Sequence, residues 1–436
     1  MYNLKLGLKN IRRNPVLSAL MIAAIGIGIG ASMAMVTVNY QFSANPIPHK
    51  SNVLHYVRLD SWSADFPFAN GQRPPNQLTY LDASALLDAK RAYRQAAMSR
   101  STLAVEPPGR DERPFFVEVR ATTADFFAMF DVPFKYGNGW PAQADEAAEQ
   151  VAVLKSATNE RVFGGEDSVG RTITLSGENY RVVGVLDDWH PIMRFYDTTT
   201  GGPGSDIEEV FIPWSLIVAK ELPRAGNTNC WKPVEGEGFR ALLASECIWV
   251  QFWAELRNAA ERADYEGFLD AYVTEQKTLG RFPRPLDNRA TPLMEFLDEG
   301  GAVPPEARVL LGLSLIFLVV CLLNTIGLLL AKFLGKAPEI GIRRALGASR
   351  RTLFQQYLVE AGMIGFAGGA LGLGLTWLGL RGIDAQFDDD LSAFLGIDWN
   401  IALAAVALAI AASLLTAIYP TWRACNVQPA VYLSAH

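Results

Sequence analysis

Residues 309–351 read VLLGLSLIFLVVCLLNTIGLLLAKFLGKAPEIGIRRALGASRR, and this stretch carries both signals that decide the fold. Its first part, Val309 to Ala331, contains no Asp, Glu, Lys or Arg. A bilayer core of about 30 Å needs about 20 apolar residues in a helix. Three other charge-free runs meet that length: Asn14–Pro48, Ala361–Leu380 and Trp399–Trp422. A buried soluble helix can also be apolar, but four such runs read as four membrane spans. The last is framed by Trp399 at one end and by Tyr419 and Trp422 at the other, and aromatic rings favour the two membrane–water boundaries. The first run follows a basic segment, as a signal peptide would. Its length and the lack of a small-x-small cleavage site favour a retained anchor.

The second part of the quoted stretch is basic. Lys332, Lys336, Arg343, Arg344, Arg350 and Arg351 stand against Glu339 alone. The N-terminal segment has Lys5, Lys9, Arg12 and Arg13 with no acid, whereas the loop between spans three and four has Asp384, Asp388, Asp389, Asp390 and Asp398 against Arg381. Basic loops stay cytoplasmic. Both termini and the 332–360 loop are therefore expected inside, and the 41–306 segment and the acidic loop outside. The chain reads as an integral membrane α-helical protein of four transmembrane helices, with a large extracytoplasmic α+β domain between spans 1 and 2. The expected segments are a cytoplasmic amphipathic helix over 1–13, span one over 15–40, the outer domain over 41–306 and span two over 307–332. A cytoplasmic coupling loop over 333–350 follows, then span three over 351–380, an outer loop over 381–398, span four over 399–420 and a tail over 421–436. In the first of these, Leu4, Leu8 and Ile11 share one helical face and Lys5, Lys9 and Arg12 another, suiting a membrane surface.

Within the outer segment, strands are expected at Val53–Leu59, Phe115–Val119, Val210–Pro213 and Ile248–Trp253, with an apolar run at Val151–Leu154. Helices are expected at Leu78–Met98 and Leu256–Leu279, with a shorter piece ending at Phe163. Thr172–Leu175 and Tyr180–Val185 read as a hairpin turning through Ser176–Asn179. Mixed strands and helices indicate an α+β domain. Cys230 and Cys247 both lie in this segment, where an oxidising compartment permits a bridge. Such a bridge would add about 3 kcal/mol by chain-entropy arguments; the alternative is two free buried thiols.

Catalytic constellations are not apparent. The sequence has no His-Glu-x-x-His or Gly-x-Ser-x-Gly, and its four histidines are His49, His55, His190 and His436. Asp187, Asp188 and His190 sketch a metal site only weakly, since acids in a loop are usually solvated, and no metal is expected. Gly165–Thr172 imitates the glycine spacing of a phosphate-binding loop, but that loop needs Lys where Arg171 stands and a helix after it. The glycines of the spans fall four apart: Gly26 with Gly30, Gly365 with Gly369, Gly368 with Gly372. Small residues at that interval let helices approach closely. They are expected to serve tight packing or dimer contact through spans one and three.

The most specific signal is Glu339-Ile-Gly-Ile-Arg-Arg-Ala-Leu-Gly-Ala348, followed by Leu353-Phe-Gln-Gln-Tyr-Leu-Val-Glu360 and Gly368-Gly-Ala-Leu-Gly372. This resembles the segment after the second span of MacB/FtsX-family ABC transporter permeases. The likeness extends to Asn10–Pro15, to Val151–Leu154, to Phe163–Leu175 with Tyr180–Val185, and to Tyr419–Ala424. Segment 187–250 departs from it. The resemblance implies that Glu339, Ile340, Gly341, Ile342, Arg343, Arg344, Leu346 and Gly347 meet a cytoplasmic ATPase. On this reading Ile340, Ile342 and Leu346 bury against the partner while Glu339, Arg343 and Arg344 make polar contacts. It further implies two permeases, identical or homologous, with two separate ATPases that hold ATP and Mg; this chain itself binds no cofactor and no nucleic acid. The family's mechanism is mechanotransmission across a bacterial cytoplasmic (inner) membrane. The implied outcomes are efflux with a periplasmic adaptor and outer-membrane channel, lipoprotein extraction, or regulation of an outer partner. A membrane sensor or scaffold is the rival outside the ABC class. The absence of charge from the four runs argues against a polar channel.

Overall fold

The computed structural model describes residues 10–107, 113–189, 191, 194–200, 206–300, 305–384 and 399–425. The expected N-terminal amphipathic helix lies outside these residues up to position 9, as do most of the acidic loop and the tail. The chain divides into two units. One comprises residues 1–44 with 303–436, the other residues 45–302.

The first unit opens with helix α1 (Pro15–Ser43). The second is built on a mixed sheet. Its strands are β1 (Leu54–Arg58), β2 (Leu78–Thr79), β3 (Arg94–Glu106), β4 (Phe115–Thr122), β5 (Phe134–Gly137) and β6 (Val151–Leu154). They continue with β7 (Thr172–Leu175), β8 (Glu178–Leu186), β9 (Val210–Pro213), β10 (Ile248–Glu255) and β11 (Arg289–Pro292). The strand order is β11-β1-β10-β3-β4-β9-β6-β8-β5, with β2 on β10 and β7 bridging β3 and β8. β4 runs parallel to β9 and β6 parallel to β8; the other ladders are antiparallel. Helices α2 (Tyr80–Ala89), α3 (Ser156–Phe163) and α4 (Ala259–Thr278) accompany the sheet.

Two expectations are corrected here. The helix read over Leu78–Met98 is in fact β2, α2 and the start of β3. Thr79 caps α2 by accepting from Asp82 N, and Lys90 ends it in the left-handed region at φ 48°. The thirteen residues Arg94–Glu106 become a central strand because β4 and β10 pair with both its edges. Sheet context overrides a weak local preference. The hairpin turn is also tighter than expected. Leu175 pairs with Glu178, leaving only Ser176 and Gly177, at φ 49° and 83°, the two positive values of a type I′ turn.

The segment that follows β8 closes on this sheet through buried charge. Arg120 of β4 donates to Asp197 Oδ2 at 2.7 Å and also pairs with Glu208. Arg194 reaches Glu208 Oε1 at 3.1 Å, and Tyr196 donates to Glu208 Oε2 at 2.8 Å. All four charged side chains are buried. Burial pushes the Asp197 carboxyl up, but the Arg120 and Arg194 charges outweigh it and hold it at about 2. Further along, Cys230 is joined to Cys247 by a disulfide, fixing the loop that leads into β10.

The chain returns to the first unit with α5 (Pro305–Leu334), α6 (Ala337–Ala345), α7 (Arg350–Asp384) and α8 (Trp399–Cys425). Among the described residues, four helices are long and apolar enough to span a membrane: Pro15–Tyr40, Arg308–Leu334, Arg350–Gly382 and Val406–Cys425. α1 packs along α5 and α7, and α8 packs on α7 and α5. The glycines decide how closely. A methyl built at Gly26 would stand 2.7 Å from Leu371 Cδ2, and one at Gly30 2.8 Å from Leu375 Cβ. From the other side, Gly368 meets Ile25 and Gly372 meets Ile29. Gly365 and Gly369 instead face α8, where the same test meets Ser413 and Ala409. These six glycines all face neighbouring helices of the same chain.

Candidate coupling site at the base of the helix bundle

Helix α6 connects spans two and three, and both its ends are set by local chemistry. Pro338 stands in its first turn, where a missing N–H costs nothing. At the other end Gly347 has φ 98°. Ala348 N donates to Arg343 O at 3.0 Å and Gly347 N to Arg344 O at 3.1 Å, the paired bonds of a Schellman ending. The next helix starts at once, with Ser349 Oγ accepting from Thr352 N at 3.2 Å. Gly347 is thus explained by the stop it imposes, independently of any partner.

The two faces of α6 have different fates. Ile340 is 1% exposed. It belongs to the buried cluster of the helix bundle, to which all four spans contribute through residues such as Met21, Phe333, Tyr357 and Ala424. Gly341 is also buried. Ile342 and Leu346 are 53% and 83% exposed. The expectation that Ile340 docks onto a partner is therefore corrected: Ile342 lies two positions on, about half a turn round the helix, and the inward face is already filled by the chain's own bundle.

The polar residues stitch the helix to that bundle. Arg343 Nη2 donates to Glu339 Oε1 at 2.6 Å, one turn away, and Nη1 to Gln356 Oε1 of α7 at 3.3 Å. Arg13 stands 3.8 Å from Glu339 Oε2. Arg344 Nη1 donates to the Cys425 carbonyl at 3.4 Å. Glu339, Arg343 and Arg344 remain partly exposed, so they both hold the helix and present charge outward.

Sequence reasoning missed one cluster here. Lys332 and Glu360 are not loop charges; both side chains are 0% exposed, with Nζ 2.7 Å from Oε1. Charge does therefore enter the helix bundle, contrary to the reading of four charge-free spans. The signal was present: Leu353, Tyr357, Glu360, Ala361 and Ile364 share one helical stripe in α7, and all are buried. A carboxylate on such a stripe demands a partner. Among the described residues, no group of three His, Cys, Asp or Glu is arranged to hold a metal. His190 lies outside those residues.

Comparison with known proteins agrees with this layout. A family model described as "MacB-like periplasmic core domain" matches residues 18–262, more than half of the chain. One described as "FtsX-like permease C-terminal" matches residues 311–429. The macrolide export ATP-binding/permease protein MacB of Azoarcus sp. (strain BH72) is 22% identical over 431 residues, covering 98% of this chain and 58% of that protein. The protein of the same name from Syntrophobacter fumaroxidans (strain DSM 10017 / MPOB) is 22% identical over 489 residues, covering 99% and 63%. This chain thus spans less than two thirds of the length of these relatives. The periplasmic region of MacB from Actinobacillus actinomycetemcomitans matches 53% of this chain and 86% of that one at 14% identity and TM-score 0.34, too distant a likeness to carry structural detail. The two family models together run from the first span into the last, around a large α/β unit and four membrane-length helices, and the chain belongs to the MacB/FtsX family of membrane permeases.

Proposed function

We propose that this chain is the membrane subunit of an ABC transporter, converting movement of a separate cytoplasmic ATPase into movement of the extracytoplasmic unit. The observation that carries the reading is the split character of α6. Its inward face is buried, through Ile340, in the hydrophobic cluster that the four spans share, while Ile342 and Leu346 stand exposed beside Glu339, Arg343 and Arg344. In water such side chains are poor surface residues; against a protein cleft they are anchors. A push on the outer face passes to the bundle because the inner face cannot slip. The ATP and Mg then belong to the partner.

The charge asymmetry of the loops supports placing α6 in the cytoplasm and residues 45–302 outside. Span two supports a second permease, identical or homologous: Val309, Leu313, Ile316, Val320 and Leu323 are exposed along it, a face for lipid or another subunit. The large outer unit favours efflux of a substrate taken from the outer side of the inner membrane, with an adaptor and outer-membrane channel. Lipoprotein extraction uses the same mechanics.

The test separates the two faces. Ile342→Ala with Leu346→Ala leaves the unfolding of the chain within about 0.5 kcal/mol of wild type, as for exposed sites. It weakens co-purification with the cognate ATPase by about 2 kcal/mol, the scale of a buried anchor. Ile340→Ala does the reverse, costing about 2–4 kcal/mol of stability. Wild-type association and ATP turnover in the outer-face pair, and in Arg343→Glu with Arg344→Glu, would remove α6 as the coupling element.

A further inference from the structure

A single carboxylate gathers the chain segments that lead into and out of α6. Glu360 lies in α7, about 15 Å along the helix from its start at the usual rise. Its Oε1 meets Lys332 Nζ, two residues before the end of α5. Its Oε2 accepts from Asn10 Nδ2 at 3.0 Å and lies 3.7 Å from Nζ of Lys336, the residue just before α6. Lys332 also donates to Ser18 Oγ of α1 at 3.0 Å. Segments from the start of span one, the end of span two and the entry to α6 thus converge on one side chain of span three.

Burying this charge is costly, and an apolar pair of similar volume would fill the space at least as well. What the ion pair adds is register. Leu353, Tyr357, Ala361 and Ile364 form a stripe that remains apolar when the helices slide, whereas Lys332 and Glu360 meet at one relative setting only. Buried polar pairs are best attested in this role of fixing register.

We propose that Glu360, with Lys332, is a positioning residue for coupling: it locks spans one, two and three together at the base, so that displacement of α6 is transmitted along the spans instead of being absorbed by slippage between them. This rests on the transporter reading above.

The decisive variant is Lys332→Met with Glu360→Leu, which removes the charge without leaving an unpaired ion. The full chain is purified with its ATPase, and hydrogen exchange of residues 45–302 is measured with and without ATP. The expected result is a stable complex that hydrolyses ATP, in which the ATP-dependent change in exchange falls about tenfold, the scale of a lost coupling term. A pair serving stability alone would move the unfolding midpoint and leave that response intact. A wild-type response in the double variant overturns the proposal. Should that variant fail to fold, Glu360→Gln, which keeps the acceptor for Asn10, is measured in its place, and a wild-type response there overturns it equally. If the wild-type chain neither binds an ATPase nor responds to ATP, the transporter reading itself fails, and the inference with it.

Discussion

Arg120 shows how much one side chain can settle. It comes from β4, yet its partners, Asp197 and Glu208, stand 77 and 88 residues further along the chain. Truncating it removes the ion-pair partner of Asp197 and leaves Glu208 to Arg194 and Tyr196, and breaking a buried pair from one side commonly costs about 3–5 kcal/mol. Arg120→Leu is therefore expected to lower the unfolding midpoint of the purified chain sharply, and to open the 194–200 segment to protease under conditions where the wild type resists. Unchanged protease resistance would show that this segment is held elsewhere. The same pair predicts a pH dependence. Asp197 titrates at about 2 in the fold, below its ordinary value of 3.8. A depressed folded value means that its contribution is present above the ordinary value and is lost as the pH falls through the folded one. Acid sensitivity from this site should therefore appear between about pH 4 and pH 2 and be absent from Arg120→Leu.

At the scale of elements, the membrane unit depends on the close approach of α1 and α7. Gly26, Gly30, Gly368 and Gly372 face that seam, and their neighbours already stand within contact distance of any added carbon. Overpacking a filled seam costs about 1–3 kcal/mol, so Gly30→Leu is expected to lower the unfolding midpoint in detergent. The matched control is Gly327→Leu in span two, where nothing lies within 4 Å; it should unfold as wild type. Equal effects of the two would mean that the seam is looser than described. Gly347 is a different case: its left-handed φ ends α6, and a side chain there strains the backbone whatever the space.

Across the whole molecule, the prediction concerns sidedness, the property on which the transporter reading depends. The 332–351 segment is strongly basic and the 384–398 loop acidic. Cysteines introduced in the 60–300 and 384–396 segments should react with an impermeant maleimide applied from outside intact cells, and those introduced in the 335–350 segment only after lysis. Labelling of the 335–350 segment in intact cells would invert the orientation and withdraw the coupling role of α6.

The four spans, the large unit between the first two and the short segment carrying Glu339–Ala348 were legible in the sequence, because each rests on a local property: run length, loop charge or a continuous motif. Helix α4 and the short strands β6, β7 and β9 were legible for the same reason. What the sequence could not disclose was decided by residues far apart along the chain. Arg94–Glu106 is a strand only because β4 and β10 flank it. Ile340 and Ile342 are the same residue type two positions apart, yet one is buried and the other exposed, since the bundle packs against one side of α6 alone. Lys332 and Glu360, at the end of span two and within span three, become partners only where the spans bring them together inside the bundle. Apolar length and motif are properties of a segment and survive in isolation; burial and pairing are properties of what packs against it, and only the tertiary structure determines those.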